Sequence, residues 1–363
     1  MLTFAPTDEQ EEIRQLAQSV ATEQLRQSAR RAEKDGNISP ALAHTLAQTG
    51  LTTPFPEKYG GQGMIEAITY ALIAEELGFG DASLAMNVLG SLMAPVTIAL
   101  AAQESQKQAY IPAFSDEKTG HTQYGSFAFA ERTGGYTLSE IGATARKDGE
   151  GYVLNGIKRD VIHGGSANVR VALFRMEGTS GIDGLCAFVL PQSANGLRIS
   201  DDVQKLGLIA APSASYSLEN VAVPASALLG ESSEVVRAAT LYILLRAGVA
   251  CGMARASLEY AREYASGRIA FGRPIASYQG IAFLVAEMAM KLDAARLLLW
   301  SAALTWDNNG ELAALVRDTE AAQGQALKIA KSATIDAIQI LGGAGYLQDH
   351  PVEMWTRNAA AME

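Results

Sequence analysis

The feature that most constrains this chain of 363 residues is that its apolar periodicity changes twice, from helical to alternating and back to helical. In residues 1–120, Thr7-Asp8-Glu9-Gln10 is a helix-capping sequence, and Ile13, Leu16, Val20 and Leu25 follow near helical spacing. A Pro- and Gly-rich stretch from Thr53 to Gly63 breaks the pattern, which resumes over 65–77 and 83–102. Between 122 and 229 come short alternating segments, YGSFAFAE, GYVLNGIK, VRVALF and LCAFVL, divided by Gly, Asp, Asn and Ser. That is the pattern of a small β-domain, a barrel or a sandwich. Within it, 151–158 reads as a strand entering a turn at Asn155-Gly156. From about Ser232 the helical period returns. Ile281, Leu284, Met288, Leu292, Ala295 and Leu299 make one apolar stripe, 312–341 is another long run, and abundant alanine suits a close-packed bundle.

Composition removes several function classes. A formal charge of -10 without Lys/Arg clusters argues against nucleic-acid binding, because a phosphate backbone rewards such clusters. Cys186 and Cys251 sit in apolar runs with no ligand-like spacing, so they read as buried thiols of a reducing compartment, and no metal site is expected. The N-terminus has no basic region followed by an apolar stretch, and no apolar run approaches about 18 residues. No signal peptide and no membrane span are expected, and the cytoplasm is the default location.

Five motifs then narrow the choice. Tyr59-Gly60-Gly61-Gln62-Gly63 is a Gly-rich turn. Lys205-Leu206-Gly207, Leu218-Glu219-Asn220-Val221, Val223-Pro224 and Leu228-Leu229-Gly230 close the β-region. Arg268-Ile269-Ala270-Phe271-Gly272 leads to Gln279, and Gln339-Ile340-Leu341-Gly342-Gly343 leads to Tyr346, Pro351-Val352-Glu353 and Arg357. In this order, across nearly the whole chain, they resemble the acyl-CoA dehydrogenase family. The resemblance implies an α+β fold in three parts: an N-terminal helical domain (1–120), a central β-barrel or sandwich (121–230) and a C-terminal four-helix bundle (231–363). It implies FAD, an acyl thioester substrate on CoA or a carrier protein, and an electron-transfer acceptor. It also implies a homodimer or homotetramer, in which the bundle reaches a neighbour's flavin. Flavin contacts carry over to Arg268, Phe271, Gln279, Gln339, Gly342 and Gly343 on the bundle, and to Phe127, Phe129, Ala130, Gly135, Tyr136, Asp160 and Ile162 on the β-side. The chemistry agrees with the bundle set: an Arg fork suits pyrophosphate, and glycines let a backbone approach a cofactor closely.

The β-side set departs from the family's pattern. Its first motif, Thr-Glu-Pro followed by Gly-Ser-Asp, reads here Ala130-Glu131-Arg132-Thr133-Gly134-Gly135-Tyr136-Thr137. After Lys158, Asp160 stands where the family has an aromatic residue and Ile162 where it has a hydroxyl. The α-proton of a thioester needs a carboxylate base. The usual position lies about one helical turn beyond Glu363, and the alternative position holds Tyr242. Tyr242, Asp160, His163 and Glu363 are the candidates, with His163 read as a surface-turn residue before Gly164-Gly165. Three functions follow from these departures: a divergent FAD-dependent acyl-thioester dehydrogenase, a non-catalytic partner subunit of a paralogous chain, or a redox-neutral enzyme using Tyr136, Asp160 and His163.

Overall fold

The computed structural model describes residues 6–63, 66–132 and 135–363; Ile65, where a helical run was expected to begin, and Thr133 and Gly134 of the first β-motif lie outside them. Helix α1 (Asp8–Val20) starts at the expected capping box, in which Thr7 and Gln10 each accept a hydrogen bond from the other's backbone N–H. It continues through a π-turn into α2 (Arg26–Asp35), which Gly36 ends in the left-handed conformation. Leu16, expected on the buried face, is exposed. Ser39 caps α3 (Pro40–Gln48), whose first residue is Pro40. Helices α4 (Ala67–Gly80) and α5 (Ala82–Ala101) are buried on nearly every side, and α6 (Glu104–Tyr110) follows.

Asp81 joins α4 to α5. One of its oxygens accepts from the Leu84 N–H at 2.8 Å, capping α5, while the other is buried without a partner among the described residues. Burial pushes its carboxyl up to about 6, against the pull of the backbone hydrogen bonds. A raised carboxyl pKa favours folding below the unfolded value, and that contribution is lost as pH rises through about 6. Asp81→Asn should therefore flatten the fall in Tm between pH 4 and pH 7, a difference of the order of 2 kcal/mol. Thermal melts across that range check it; parallel curves for the two proteins would refute it.

Among the described residues, the central region is one mixed sheet of eight strands. They are β1 (Gly125–Ala128), β2 (Thr144–Asp148), β3 (Gly151–Ile162), β4 (Val169–Met176), β5 (Leu185–Leu190), β6 (Leu197–Ile199), β7 (Ser213–Pro224) and β8 (Leu228–Glu231). Their order is β6-β7-β3-β2-β4-β5-β8, with β1 beside β4; β1 and β2 run parallel to β4 and the other pairs are antiparallel. The sheet is open, so the barrel alternative does not hold. Asn155-Gly156 is not a turn either. β3 runs through it, paired with β7 from Gly151 to Ile162 with register shifts at 154/156 and 158/161. Gly156 (φ +141) lets the strand pass Ala143, because a Cβ there would lie 2.5 Å from the alanine's own Cβ.

The bundle comprises α7 (Ser233–Gly267), α8 (Gln279–Asp307), α9 (Leu312–Leu341) and α10 (Val352–Met362), with a two-strand hairpin, β9 (Ile269–Ala270) and β10 (Arg273–Pro274), between α7 and α8. Glycines bring α7 onto α4: a Cβ on Gly252 would lie 2.0 Å from the Glu75 carbonyl oxygen. Glu75 and Glu76 are buried in ion pairs with Arg14, Arg255 and Arg296, tying α1, α4, α7 and α8 together. The expected stripe on α8 buries Met288, Leu292, Ala295 and Leu299, with Ile281 and Leu284 half-buried. A second apolar face was not foreseen: Phe283, Met290 and Leu297, seven residues apart, are 67%, 67% and 47% exposed. The sequence reading of apolar run lengths also needs correction. Among the described residues α5 and α7 are long and apolar enough to cross a membrane by composition, and most of each is packed inside the protein.

Candidate functional site

The β-side residues converge where β1, β3, α7 and α10 meet. Phe127 and Phe129 are buried on and just after β1, and Tyr242 reaches them from the middle of α7. With Tyr136 they form an edge-to-face cluster: Phe127–Phe129 6.3 Å, Phe127–Tyr242 5.6 Å, Phe129–Tyr136 5.5 Å and Tyr136–Tyr242 6.0 Å between centroids. One turn beyond Tyr242, the Arg246 guanidinium lies 3.7 Å from the Tyr136 ring centroid. Arg246 also donates to Gln323 Oε1 on α9 at 3.2 Å and to the Met362 carbonyl at 2.6 Å. Ala130 is buried and its carbonyl accepts from Arg159 N at 2.7 Å, while Gly135 N donates to the Arg132 carbonyl at 3.0 Å.

Register shifts in β3 aim the next residues. Asp160 (φ 51) and His163 (φ 56) are left-handed. Ile162 packs on Gly90 of α5, where a Cβ would come within 2.9 Å of its Cδ1. Asp160, Ile162, Tyr136, Lys205, Ser213 and Arg246, with the end of α10, line a cavity of about 40 Å³. Among the described residues, Ser213 Oγ is buried with no hydrogen-bond partner. Burial pushes the Lys205 ammonium down to about 8 although Asp160 and Asp202 pull the other way, and it donates to the Ala211 carbonyl at 2.5 Å.

The four candidate bases fare differently. His163 is not a surface-turn residue: it is buried, stacked on Tyr124 at 4.4 Å, with Nε2 against the Asn87 carbonyl and side-chain oxygens at 3.1 and 3.2 Å. Gly164, which follows, is buried against β7, where a Cβ would lie 3.1 Å from that of Ala214. Burial pushes the imidazole down to about 4, so it is neutral at physiological pH, and it does not line the cavity. Burial pushes the Tyr242 phenol well above its ordinary value. Asp160 and Glu363 both line the cavity, and Glu363 pairs with Lys331 at 2.5 Å.

The bundle-side residues lie elsewhere, on the protein surface. Arg268 follows α7 and is exposed, Phe271 is 97% exposed at the tip of the hairpin, and Gln279 opens α8. Gln339 is exposed in the last turn of α9, and Gly342 (φ +61) and Gly343 follow; a Cβ on either glycine would meet nothing within 4 Å. None of these six lines the cavity.

Motif reading missed Arg246 and Ser213, and took Lys205 only as part of the segment that closes the β-region. Arg246 carried a usable signal: it is a lone charge in the apolar run Leu244-Leu245-Arg246-Ala247-Gly248, where an unpaired charge is costly. Glu131 was read as a retained flavin-motif residue. In the structure it pairs with the fully buried Lys158 at 2.7 Å and accepts from the Gly142 and Ala143 N–H groups.

Comparison with known proteins identifies the arrangement. The chain matches family models for the acyl-CoA dehydrogenase N-terminal domain over residues 7–118, the middle domain over 126–221 and the C-terminal domain over 244–363. It is 32% identical to an acyl-CoA dehydrogenase of Bacillus subtilis (strain 168), covering 97% of this chain and 93% of that one. It is 31% identical to cyclohex-1-ene-1-carbonyl-CoA dehydrogenase of Syntrophus aciditrophicus (strain SB), covering 97% and 85%. Among solved structures, butyryl-CoA dehydrogenase from Megasphaera elsdenii superimposes with a TM-score of 0.84 at 28% identity, covering 99% of this chain and 95% of that one. By sequence and by fold, the chain belongs to the acyl-CoA dehydrogenase family.

Proposed function

We propose that this chain is a FAD-dependent acyl-thioester α,β-dehydrogenase of divergent type, acting in the cytoplasm on a CoA or carrier-protein thioester and passing electrons to a separate acceptor. The observation that carries the reading is the intact, outward-facing bundle set: an exposed guanidinium, two exposed amides and two glycines with open space beside them. These fit the pyrophosphate and adenosine end of FAD. Arg268 would hold a phosphate in its fork, Gln279 and Gln339 would bond adenosine or ribose, and the Gly342-Gly343 backbone would lie against the cofactor.

The ring end fits only with a rearrangement. Ligands of this size occupy pockets of about 300–1,000 Å³, against about 40 Å³ beside Tyr136 and Ile162. An isoalloxazine would need the space that the Tyr136 side chain fills. When bound, the flavin supplies the hydride acceptor. This chain's rings, Phe127, Phe129 and Tyr242, keep water from the acyl group. Of the four candidate bases, burial sets aside Tyr242 and His163, leaving the cavity carboxylates Asp160 and Glu363 to take the α-proton. Titrating the purified chain with FAD, followed by flavin absorbance, tests the reading. Saturable binding with butyryl-CoA-dependent bleaching is expected, and no binding at all would overturn it.

One observation favours a second reading. Because Tyr136 already fills the ring end, the chain would instead lend Arg268 and its neighbours to flavin on a paralogous subunit. In that case the chain alone stays colourless, and flavin appears only in a mixed complex.

Both readings need assembly through the bundle, and the exposed face of α8 supplies a surface. Met290→Glu should convert an oligomer of at least two chains into monomers, because a buried unpaired carboxylate is costly. Light scattering measures this; a wild-type monomer at micromolar concentration would exclude it.

A further inference from the structure

Tyr136 begins a short strap, residues 136–141, that the rest of the chain holds down from two sides. Its middle is a 3-10 turn over Leu138–Glu140, and Tyr136, Leu138 and Ile141 are buried. From β4, the buried Arg175 guanidinium donates to the Leu138 and Ser139 carbonyls, each at 3.3 Å, and to the Ile141 carbonyl at 2.9 Å. From α9, a carboxylate oxygen of Glu320 accepts from the Leu138 N–H at 2.9 Å. An exposed ion pair between Arg132 and Glu140 adds little.

The hold from α9 is the one that crosses from the bundle to the central region. Gln323, three residues beyond Glu320 and on the same face of the helix, accepts from Arg246 Nε, and that guanidinium lies over the Tyr136 ring. One helix face therefore grips the strap twice, directly at Leu138 and through Arg246 at Tyr136. The direct grip is opposed. Burial raises the Glu320 carboxyl and the Glu140 carboxylate on the strap repels it, against the pull of the Leu138 hydrogen bond. Such a contact can be broken without unfolding the sheet, because Arg175 and the β4 pairing stay in place behind it.

We infer that this strap is a plug that α9 latches shut, that FAD enters only when it lifts, and that Glu320 is the positioning residue that sets how often it does so. This rests on the dehydrogenase reading for the flavin, and on the strap's own contacts for the latch. A ligand that binds only the open form binds with an apparent Kd raised by the reciprocal of the open fraction. Loosening the latch therefore tightens FAD binding, whereas ordinary damage to a cofactor site weakens it.

Titration and stopped-flow mixing of the full chain with FAD, read by flavin fluorescence, test this. The wild-type association rate should level off at high FAD, where lifting of the strap limits it. Glu320→Ala should raise that plateau and tighten the apparent Kd at least about tenfold, the shift expected from losing a charge-assisted hydrogen bond. Glu320→Gln keeps an acceptor and should fall between the two. Tyr136→Ala removes the plug itself and should bind FAD without a plateau. Hydrogen exchange in the absence of FAD gives a second readout: residues 136–141 should exchange faster in Glu320→Ala while α7 and α8 stay as protected as in the wild type. If Tyr136→Ala does not fold, the two Glu320 variants and the exchange decide. Unchanged strap exchange and unchanged FAD affinity in Glu320→Ala overturn the latch, and FAD binding by the wild type would then leave the dehydrogenase reading standing. Faster strap exchange with FAD bound by none of the chains sinks that reading, and with it the flavin as what the strap admits.

Discussion

Glu131→Ala is expected to lower the unfolding free energy by about 3–5 kcal/mol, because it strands a buried ammonium. Lys158 is fully buried, and besides the bond to Glu131 its Nζ donates to the Phe129 carbonyl at 3.3 Å and lies over the face of Phe174. The carboxylate also holds the 142–143 backbone, through N–H donors at 2.7 and 2.9 Å. Burial by itself would raise the Glu131 carboxyl, but the attraction of Lys158 and these hydrogen bonds outweigh it and hold the pKa below its ordinary value. A depressed carboxyl contributes stability above its unfolded pKa and loses it as pH falls through the folded one. The wild type should therefore lose this contribution in acid, and Glu131→Ala should not. Lys158→Met should cost less than Glu131→Ala, since it removes the buried charge and leaves a carboxylate that water can still reach. Denaturant unfolding at neutral and acid pH measures all three. Equal costs for the two substitutions would mean that the pair is not the source of the stability.

Arg268→Ala should weaken FAD binding at least about tenfold, as a charge-assisted fork on a phosphate contributes roughly 1.5–3 kcal/mol. On the β-side the expectation runs the other way. Asp160 places a carboxylate where the family has an aromatic ring, which disfavours an anionic reduced flavin and gives up stacking area. Restoring the ring with Asp160→Trp carries a hidden cost, because Asp160 has φ 51. Bulky residues pay about 1–2 kcal/mol in the left-handed region, whereas Asn tolerates it. Asp160→Asn is therefore the cleaner probe of charge, with affinity unchanged or improved. Loss of turnover with FAD still bound would make Asp160, rather than Glu363, the carboxylate that takes the α-proton, whereas loss of FAD binding would sink the expectation that its charge opposes the flavin.

Much of the fold was legible because local patterns and tertiary structure agree. The Thr7/Gln10 box starts α1, the stripe from Met288 to Leu299 is buried, and 312–341 is one helix. The failures share a cause: they depend on what lies across the fold. Asn155-Gly156 has the composition of a hairpin, yet β7 pairs with β3 on both sides of it, so the strand continues. His163 precedes two glycines as a surface turn would, but α5 covers it.

The sequence by itself determined the order of helices and strands, and the ordered motifs that place the chain in its family. Those are properties of short windows, set by periodicity, capping and glycine positions. Only the tertiary structure decided which polar groups share a cavity. Asp160, Lys205, Ser213 and Arg246 come from separate segments, and whether each is paired or stranded depends on neighbours tens of residues away in the chain. The charge balance of a buried site is a sum over such contacts, so the window 244–248 can mark Arg246 as a lone charge in an apolar run but cannot say what surrounds it.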